Sequence, residues 1–521
     1  MISIPQRLIG EALLISSKNR PDHPAIIYKD AEYSYKLLKD SALKLASHLL
    51  DIGIKKGDRV AIYMNNSFEC AVSIYGVSLS GAVFMVINSQ TKSDKLKYIL
   101  EDSEAKVLIA ESFLHNEVVS AIVDNQFIVE TIVTKINEIP KAEELNFHSF
   151  EDIITSPTSL IDFPNIIPND LAALIYTSGS TGFPKGVMMT HQSMVFTSWS
   201  LIEYLRLTEE ERIMLLLPLA FDYGLYQFLM SITIGGTLIV EQSFAFQATI
   251  YNHIHKYKAT VFPGVPTIYA MMIETHKKSG IAFDSIQKVT NTAAALPVEF
   301  IPNLKKIFPN ALIFKMYGLT ECKRVCYLEP ELVDQKPNSV GKAIPGTEVF
   351  LLSPEGNPVI PGESGILHVR GPHVMAGYWK KEALSNEMLK PGLLPGERIL
   401  CAQDWFKMDD EGFLYFQGRM DDIIKTRGEK VSPIEVENVI YKMNRIKEVA
   451  VIGVKDPIMG ESILAFITTH DNAVMHEKEV QTECMSKLEN FMVPHKVIFL
   501  PEMPKSSNGK IDKLELKRRY T

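Results

Sequence analysis

Residues Thr177–Gly186, TSGSTGFPKG, form a loop whose residue types suit phosphate binding. Glycines let backbone N–H groups turn towards an anion, hydroxyl side chains add donors, and Lys185 adds a positive charge. The P-loop pattern G-x-x-x-x-G-K-[ST] is absent, because Pro184 stands five residues after Gly179 and Gly186 follows Lys185. A flexible turn is the plainer alternative. We predict phosphate binding through Thr177, Ser178, Gly179, Ser180, Thr181, Gly182 and Lys185.

The second candidate stretch is MYGLTEC, residues Met316–Cys322, which follows the predicted strand Ala311–Lys315. Tyr317 could pack against a flat base. Glu321 could hold Mg²⁺ beside phosphate oxygens, since Mg²⁺ prefers oxygen ligands. Taken alone, the stretch also fits a buried strand end with one solvated glutamate.

Two further stretches carry charges suited to nucleotide recognition. Gly418–Lys430 has the sequence GRMDDIIKTRGEK, and Asp404 precedes it. A carboxylate is a natural partner for ribose hydroxyls, and an arginine for ribose or phosphate. Pro504–Asp512, PKSSNGKID, places Lys510 in a turn. Alone, the first stretch also fits a charged linker between domains, and Lys510 an ordinary surface lysine.

The composition is that of an ordinary globular protein, with 521 residues, 46% of them hydrophobic and 22% charged. The length predicts at least two domains. The formal net charge is −8, and only the tail Lys513–Arg519 is strongly basic. Nucleic acid is therefore not expected as the main partner.

The cysteines and apolar runs indicate the compartment. The five cysteines are scattered, with no CxxC pair and no zinc-ligand spacing, which fits a reducing compartment. Glu11 interrupts the first apolar stretch, so we expect no signal peptide. The longest apolar runs are too short to span a bilayer. We expect a cytoplasmic protein without integral membrane association.

The elements that must position these residues follow an α/β pattern. Strands alternate with helices in the first part of the chain and again over 171–289, which predicts parallel sheets. Short strands with Gly and Pro turns then predict a small β subdomain at about 341–417. The last hundred or so residues have their own α+β pattern. We predict a large N-terminal domain of stacked α/β/α sheets, 1–419, and a small C-terminal domain, 420–521.

Together, these stretches resemble the adenylate-forming superfamily, which includes acyl-CoA synthetases, adenylation domains of nonribosomal peptide synthetases and luciferases. The resemblance covers essentially the whole chain, and a stand-alone acyl- or aminoacyl-activating ligase is the most similar type. It rests on five segments: Tyr176–Gly186 (phosphate loop), Tyr317–Glu321 (YGxTE), Gly362–Trp379 (GELxxRGPxxxxGYW), Gly418–Lys425 (GRxDxxIK) and Asn508–Asp512 (the C-terminal lysine motif).

The resemblance implies ATP-dependent activation of a carboxylic acid to acyl-AMP and pyrophosphate, then transfer to a thiol. It implies that Lys510, Lys185 and Glu321 are catalytic, and that Glu321 and Thr177 serve Mg²⁺. Asp404 and Arg419 would bind ribose or phosphate. Further nucleotide contacts are implied for Thr292, Ala293, Ala294, Ala295, Tyr317, Gly318, Leu319 and Thr320.

The resemblance also implies a mobile C-terminal domain. Asp421 would be the hinge about which this domain rotates between two half-reactions. Lys510 would face the site in the first, and Gly428–Lys430 in the second. Two segments depart from the family pattern: Ala402–Asp404 replaces a TGD motif, and Thr292–Pro297 carries alanines where glycines are frequent, which predicts a tighter pocket floor.

The acid pocket is expected to begin at Leu217–Gln227, LPLAFDYGLYQ. Amino-acid-activating relatives use a Phe-Asp pair whose aspartate binds the substrate ammonium, and a partly buried cation does need a carboxylate. Alternatively, Asp222 caps a helix that starts near Tyr223. Arg324 is also expected to approach the pocket. The predicted pocket residues are Phe221, Asp222, Tyr223, Gln227 and Cys322.

The thiol acceptor stays open between CoA and the phosphopantetheine of a carrier protein. No carrier domain follows Lys510, so we expect the acceptor in trans. A luciferase-like oxidase would share these motifs, but nothing in the sequence favours it. A non-catalytic binding protein is disfavoured because Lys510 and Glu321 are both present. The sequence does not specify the acid or the oligomeric state.

Overall fold

The computed structural model describes residues 6–135, 147–157, 162–177, 184–420, 422–426, 429–456, 459–470, 473–506 and 509–520. Strands and helices alternate over its first 200 residues. In chain order the elements are α1 (Ile9–Asn19), β1 (Pro24–Tyr28), β2 (Ala31–Ser34), α2 (Tyr35–Asp51), β3 (Arg59–Tyr63), α3 (Phe68–Leu79), β4 (Val83–Ile87), α4 (Ser93–Ser103), β5 (Ala105–Glu111), α5 (His115–Ile122), β6 (Glu130–Thr134), β7 (Phe147–Ser149), α6 (Phe150–Thr155), β8 (Leu171–Thr177), β9 (Lys185–Thr190) and α7 (His191–Tyr204).

The alternation continues to the predicted β subdomain and then gives way to short strands. These elements are β10 (Arg212–Leu215), α8 (Asp222–Ile234), β11 (Thr237–Val240), α9 (Gln247–Tyr257), β12 (Val261–Gly264), α10 (Pro266–Ser279), β13 (Lys288–Asn291), α11 (Ile301–Ile307), β14 (Leu312–Tyr317), β15 (Cys326–Leu328), β16 (Lys342–Ala343), β17 (Glu348–Leu352), β18 (Ser364–Arg370), β19 (Gly377–Tyr378), α12 (Glu382–Met388), β20 (Leu389–Pro391), β21 (Arg398–Met408) and β22 (Leu414–Arg419).

The last hundred residues alternate again, with longer strands. They form β23 (Ile424–Thr426), β24 (Glu429–Val431), α13 (Pro433–Tyr441), β25 (Ile446–Asp456), β26 (Gly460–Thr469), α14 (Glu477–Lys487), β27 (Lys496–Phe499) and α15 (Lys513–Tyr520). The α+β pattern predicted for this region is therefore present.

Two large, mainly parallel sheets carry the first part of the chain. One has eight strands in the order β19-β9-β8-β4-β3-β5-β6-β7, and the other nine in the order β16-β15-β14-β13-β12-β10-β11-β1-β2. Their strands are buried runs rich in Val and Ile, as expected for parallel strands covered on both faces. Helix α8 is buried along most of its length between its neighbours, so its first turn is held firmly beside the strand ends.

The third sheet is small and antiparallel, with the order β17-β18-β21-β20 and β22 paired to β21. It corresponds to the predicted β subdomain. Its strands run from Glu348 to Arg419, whereas the predicted range of 341–417 also included β16, which pairs with β15 in the nine-stranded sheet. The fourth sheet, β24-β23-β26-β25 with β27 on β26, contains only strands that follow residue 420.

Local signals in the sequence explain several helix starts. Ser34 and Ser67 accept hydrogen bonds from the backbone N–H groups of Leu37 and Cys70, which caps α2 and α3. Ser432 caps α13 in the same way, with Pro433 in the first helical turn. Within the described residues, no helix is both long and apolar enough to cross a bilayer.

Candidate active site

The β8–β9 hairpin positions both ends of the predicted phosphate loop. Thr177 pairs with Lys185 in the antiparallel register. The hydroxyl oxygen of Thr177 is buried and has no hydrogen-bond partner among the described residues. The predicted loop contacts Ser178, Gly179, Ser180, Thr181 and Gly182 lie outside the described residues.

Lys185, Glu321 and Tyr378 form one cluster at the end of this hairpin. Lys185 Nζ donates to the Tyr378 hydroxyl at 2.8 Å and lies 3.7 Å from Glu321 Oε1. The Tyr378 hydroxyl in turn donates to Glu321 Oε1 at 2.6 Å. Burial and the charge of Glu321 raise the pKa of Tyr378, so its proton stays on. The structure therefore joins the phosphate loop to the YGLTE turn through a tyrosine.

Tyr378 was not among the predicted site residues. Strand β19 pairs with β9, and the Trp379 N–H donates to the Gly186 carbonyl oxygen at 2.8 Å. The GYW residues that end the motif Gly362–Trp379 were the available signal for Tyr378. What the sequence could not show is that this segment pairs with the strand that leaves the phosphate loop.

Asp404, Tyr317 and Arg419 form a second cluster, at the third sheet. Asp404 faces Arg419 in the register of β21 and β22, and the Tyr317 hydroxyl donates to Asp404 Oδ2. Burial raises the pKa of Asp404 to about 6, although Arg419 and the tyrosine hydrogen bond oppose the shift. The Tyr317 ring packs edge-on against Phe406 at 4.9 Å between centroids. A buried carboxylate with a neighbouring cation is thus available to bind hydroxyl groups.

The YGLTE turn, with Gly318, Leu319 and Thr320, folds back tightly on itself. A Cβ at Gly318 would lie 2.1 Å from the Lys323 carbonyl oxygen, so only glycine fits. The Cys322 N–H donates to the Leu319 carbonyl oxygen at 3.1 Å. This close approach holds Glu321 and residues 323–324 within one tight turn.

The predicted adenine loop follows β13. Thr292 is buried, and its hydroxyl oxygen has no partner among the described residues. Ala293, Ala294 and Ala295 are exposed, so their methyl groups are not packed into a floor here. Ala293 has φ +73°, a left-handed conformation that costs an alanine about 1 kcal/mol. A glycine at this position would avoid that cost.

Lys510 reaches the site from the C-terminal part of the chain. It ends a turn in which the Ser506 N–H donates to the Lys510 carbonyl oxygen at 2.8 Å. Burial and the positive charge of Arg419 lower the pKa of Lys510 to about 8, while Asp222 and Asp404 act in the opposite direction. Lys510 therefore lies within electrostatic reach of both carboxylates. Asn508, in the same motif, lies outside the described residues, as do Asp421 and Gly428.

Asp222 is engaged by Lys323, a residue that sequence reasoning missed. Lys323 Nζ lies 2.7 Å from Asp222 Oδ1, and the lysine side chain is 0% exposed. Helix α8 begins at Asp222 with Phe221 at the N-cap, and no side chain caps it. The alternative in which Asp222 caps a helix from Tyr223 is therefore wrong. Lys323 directly follows the YGLTEC motif, and this position was the available sequence signal.

The other predicted pocket residues surround the start of α8. Tyr223 donates to the Thr290 carbonyl oxygen at 2.5 Å, and Gln227 is buried with its carbonyl oxygen unpartnered in the described chain. Cys322 is fully buried, which raises the pKa of its thiol. The Arg324 guanidinium carbon lies 5.2 Å from the centroid of the Tyr223 ring. Arg324 is thus a second buried cation, besides Lys323, near the first turn of α8.

Comparisons with known proteins agree with this geometry. Residues 15–379 match the family model described as AMP-binding enzyme, and residues 435–510 match the AMP-binding enzyme C-terminal domain. A long-chain-fatty-acid–CoA ligase of Bacillus subtilis is 31% identical, over 98% of this chain and 94% of that protein.

Two solved structures have the same fold along the whole chain. ATP-bound MatB from Rhodopseudomonas palustris has a TM-score of 0.87 at 25% identity, covering 99% of both chains. The anthranilate CoA ligase AuaEII, in complex with anthranoyl-AMP, has a TM-score of 0.89 at 25% identity, covering 99% of this chain and 98% of its own.

These matches confirm the α/β fold class and the enzyme class, an AMP-forming acid–thiol ligase. The family matches cover most of the chain and include both its N-terminal and its C-terminal part. The chain belongs to the AMP-binding enzyme family, within the adenylate-forming superfamily that its sequence resembles.

Proposed function

We propose that this enzyme activates a carboxylic acid with ATP and transfers the acyl group to the thiol of CoA. The observation that supports the first step, activation of the acid with ATP, is the position of Lys510. A lysine from beyond residue 500 lies within electrostatic reach of Asp222, beside the predicted acid pocket, and of Asp404, in the predicted ribose site. The reaction that joins an acid to a nucleotide phosphate requires a cation between the acid site and the nucleotide site.

In the first step an acid carboxylate oxygen attacks the α-phosphorus of ATP. An O–P bond forms, the bond from the α-phosphorus to the bridging oxygen breaks, and pyrophosphate leaves with its electron pair. Negative charge grows on the transferring group, so fixed cations lower the barrier. We assign Lys510 to the attacking carboxylate and α-phosphate, and Lys185 to the leaving pyrophosphate.

Asp404 and Arg419 bind the ribose hydroxyls in this scheme. Thr292, Ala293, Ala294, Ala295 and Tyr317 border the base. The support for the ribose assignment is the buried Asp404 carboxylate, which already accepts one hydrogen bond from a hydroxyl, that of Tyr317. A ribose hydroxyl is chemically the same kind of donor.

Mg²⁺ fits beside Glu321 and Thr177. Mg²⁺ prefers carboxylate and hydroxyl oxygens together with substrate phosphates. Thr177 offers a buried hydroxyl without a partner in the described chain, and Glu321 a carboxylate oriented by Tyr378. Bound there, the ion would neutralise phosphate charge.

In the second step the thiol sulfur attacks the acyl carbon of acyl-AMP. A C–S bond forms, the bond to the AMP oxygen breaks, and the thiol proton is lost to solvent or a base. We propose that residues 420–521 form a separate domain that rotates about Asp421 for this step, which withdraws Lys510 and presents Gly428–Lys430.

CoA is the acceptor we favour, because both the Bacillus subtilis relative and AuaEII are named as CoA ligases. A carrier-protein phosphopantetheine ends in the same thiol arm and is the second candidate acceptor. The amino-acid alternative loses support, since Lys323 already supplies the ammonium group that Asp222 would bind. A cytoplasmic location stays a prediction from the cysteine pattern.

The test is acid-dependent exchange of pyrophosphate into ATP with a broad panel of acids. We expect exchange with at least one acid, followed by thioester formation when CoA is added. Absence of exchange with every aliphatic, aromatic, dicarboxylic and amino acid tried would overturn the ligase proposal. Thioester formation on a phosphopantetheinylated carrier protein but not on CoA would show that the carrier protein is the acceptor.

A further inference from the structure

Arg324 is a buried cation that has no carboxylate partner in the described part of the chain. It is 3% exposed, and its Nη1 donates to the Lys323 carbonyl oxygen at 2.7 Å. Its Nε and Nη2 have no hydrogen-bond partner, and no carboxylate pairs with it among the described residues. Burying an unpaired charge is costly, so such a group is expected to gain a partner when a ligand binds.

The unpartnered nitrogens of Arg324 have a defined geometry. Nε and Nη2 lie on the same side of the guanidinium, so their N–H groups point in parallel. Two parallel N–H donors match the two oxygens of a carboxylate, which is the strongest and most specific contact that an arginine makes. The remaining nitrogen, Nη1, is used to fix the side chain against the backbone.

The surroundings place this fork beside the predicted acid pocket. The guanidinium carbon lies 5.2 Å from the Tyr223 ring centroid, and Tyr223 directly follows Asp222 on α8. Asp222 cannot neutralise Arg324, because Lys323 occupies its Oδ1 at 2.7 Å. Lys323 thus engages the carboxylate of Asp222, and the positive charge of Arg324 stays uncompensated among the described residues.

We propose that the acid activated by this enzyme is a dicarboxylic acid whose second carboxylate binds Arg324 through Nε and Nη2. The inference rests on the proposed function, since it names the substrate class of that site. The first carboxylate reacts at the α-phosphorus near Lys510, and the second stays ionised in the pocket. An acid ending in a methyl group would leave both N–H groups unpaired, and this lowers its affinity.

The experiment compares wild-type exchange rates for acids that differ only in the second carboxylate. Malonic, succinic, glutaric and adipic acids are each paired with the monocarboxylic acid of the same carbon number. We expect at least one diacid to exceed its partner in kcat/KM by about 10- to 100-fold, the range for a charged hydrogen-bonding contact. Exchange with monoacids and none with diacids overturns the inference but leaves the ligase proposal standing.

Variants then assign the preference to Arg324. In Arg324→Met we expect kcat/KM for the best diacid to fall by about 10- to 100-fold, with that for the monoacid unchanged or higher. Arg324→Lys keeps the charge but loses the fork, and an intermediate preference is expected. Equal losses for both acids would show that Arg324 only supports the fold. If Arg324→Met does not fold, the acid preference of the wild type and that of Arg324→Lys still test whether Arg324 binds the second carboxylate.

A matched control removes a guanidinium elsewhere. Arg206 is exposed to solvent and pairs with Glu329 and Glu331 at the surface. Arg206→Met is expected to leave the ratio of diacid to monoacid unchanged. A change in that ratio equal to the change in Arg324→Met would point to overall charge rather than to a carboxylate contact, and would overturn the assignment.

Discussion

The charge state of two side chains ties the chemistry to pH. Asp404 has a pKa raised to about 6 by burial, so its carboxylate is ionised only above that value. Lys510 has a pKa lowered to about 8 by burial and by Arg419, so its ammonium is lost above that value. Both charged forms coexist between these values. Each group therefore limits activity on one side of neutral pH.

We predict a bell-shaped pH profile for kcat/KM in the exchange reaction, since this parameter follows ionisations of the free enzyme. It should rise through about pH 6 as Asp404 ionises and fall through about pH 8 as Lys510 loses its proton. Lys510→Arg should move the alkaline limb upwards, and Asp404→Asn should remove the acid limb. A profile that is flat in the wild type contradicts the assignment.

Lys510→Ala is expected to separate the two half-reactions. Loss of one cation or donor aimed at developing charge costs about 10²–10³ in rate, so exchange should fall by at least that factor. Thioester formation from supplied acyl-AMP should survive, because Lys510 has no role in the second step. Equal loss of both steps, with unchanged thermal stability, would refute the role given to this lysine.

At the scale of the elements, the YGLTE turn depends on one glycine. Gly318 lets the backbone of Lys323 approach, and a Cβ there would lie 2.1 Å from the Lys323 carbonyl oxygen. We predict that Gly318→Ala destabilises the protein by about 1–3 kcal/mol through overpacking. It should also lower the rate of pyrophosphate exchange by more than about 10-fold, because the displaced turn carries Glu321 and Lys323.

Gly356→Ala is the control for this change. Gly356 has φ +88° in an exposed turn, and nothing lies near a Cβ there. The substitution should cost about 1 kcal/mol in stability without affecting exchange. Thermal unfolding and exchange kinetics measured on both variants distinguish strain alone from displacement of the site.

The Asp222–Lys323 pair joins helix α8 to the turn before β15. Because Lys323 is fully buried, removing one partner leaves a charge without compensation. We predict that Lys323→Met or Asp222→Leu alone costs about 3–5 kcal/mol of unfolding free energy, and that the double variant costs less than either. Denaturant unfolding of the two single variants and the double variant measures these free energies. Additive losses would mean that the two charges do not interact.

At the scale of the molecule, the C-terminal unit is docked with Lys510 in the site. A Cβ at Gly509 would lie 3.4 Å from the Thr267 hydroxyl oxygen on α10, which is direct van der Waals contact between the two parts of the chain. We predict that the variant Thr267→Cys with Gly509→Cys, once oxidised, keeps exchange activity but loses thioester formation. Activity should return on reduction.

The single variants and the reduced double variant are the controls for this cross-link. The five native cysteines are buried, so they compete little for the new bond. Thioester formation at the full rate in the cross-linked enzyme would show that the second step needs no movement of residues 420–521. That result would overturn the proposed rotation about Asp421.

The sequence predicted the elements well, for a physical reason. Hydrophobic periodicity and serine caps are local properties of the sequence, which is why helices such as α2 and α13 start directly after a serine. The spacing of the motifs was sufficient to indicate the superfamily and the two-part α/β fold. The exact partners of charged side chains were less accessible, since they depend on how distant turns approach each other.

Three features were decided by the tertiary structure alone. The pairing of β19 with β9 brings Tyr378 between Lys185 and Glu321. The fold of the YGLTE turn brings Lys323 to Asp222 and so removes the free carboxylate on which the amino-acid alternative depended. The docking of the C-terminal unit lowers the pKa of Lys510. Each joins residues that lie at least 57 positions apart in the sequence.

By itself, the sequence indicated the enzyme class, through motifs that resemble those of the adenylate-forming superfamily: a phosphate loop without the P-loop lysine pattern and a C-terminal lysine motif. Those are properties of residue types and local spacing. Only the tertiary structure decided which charges remain unpaired, and it leaves Arg324, beside the Tyr223 ring, without a carboxylate partner among the described residues. The reason is physical, because the free energy of a buried charge depends on every neighbour that folding brings within reach.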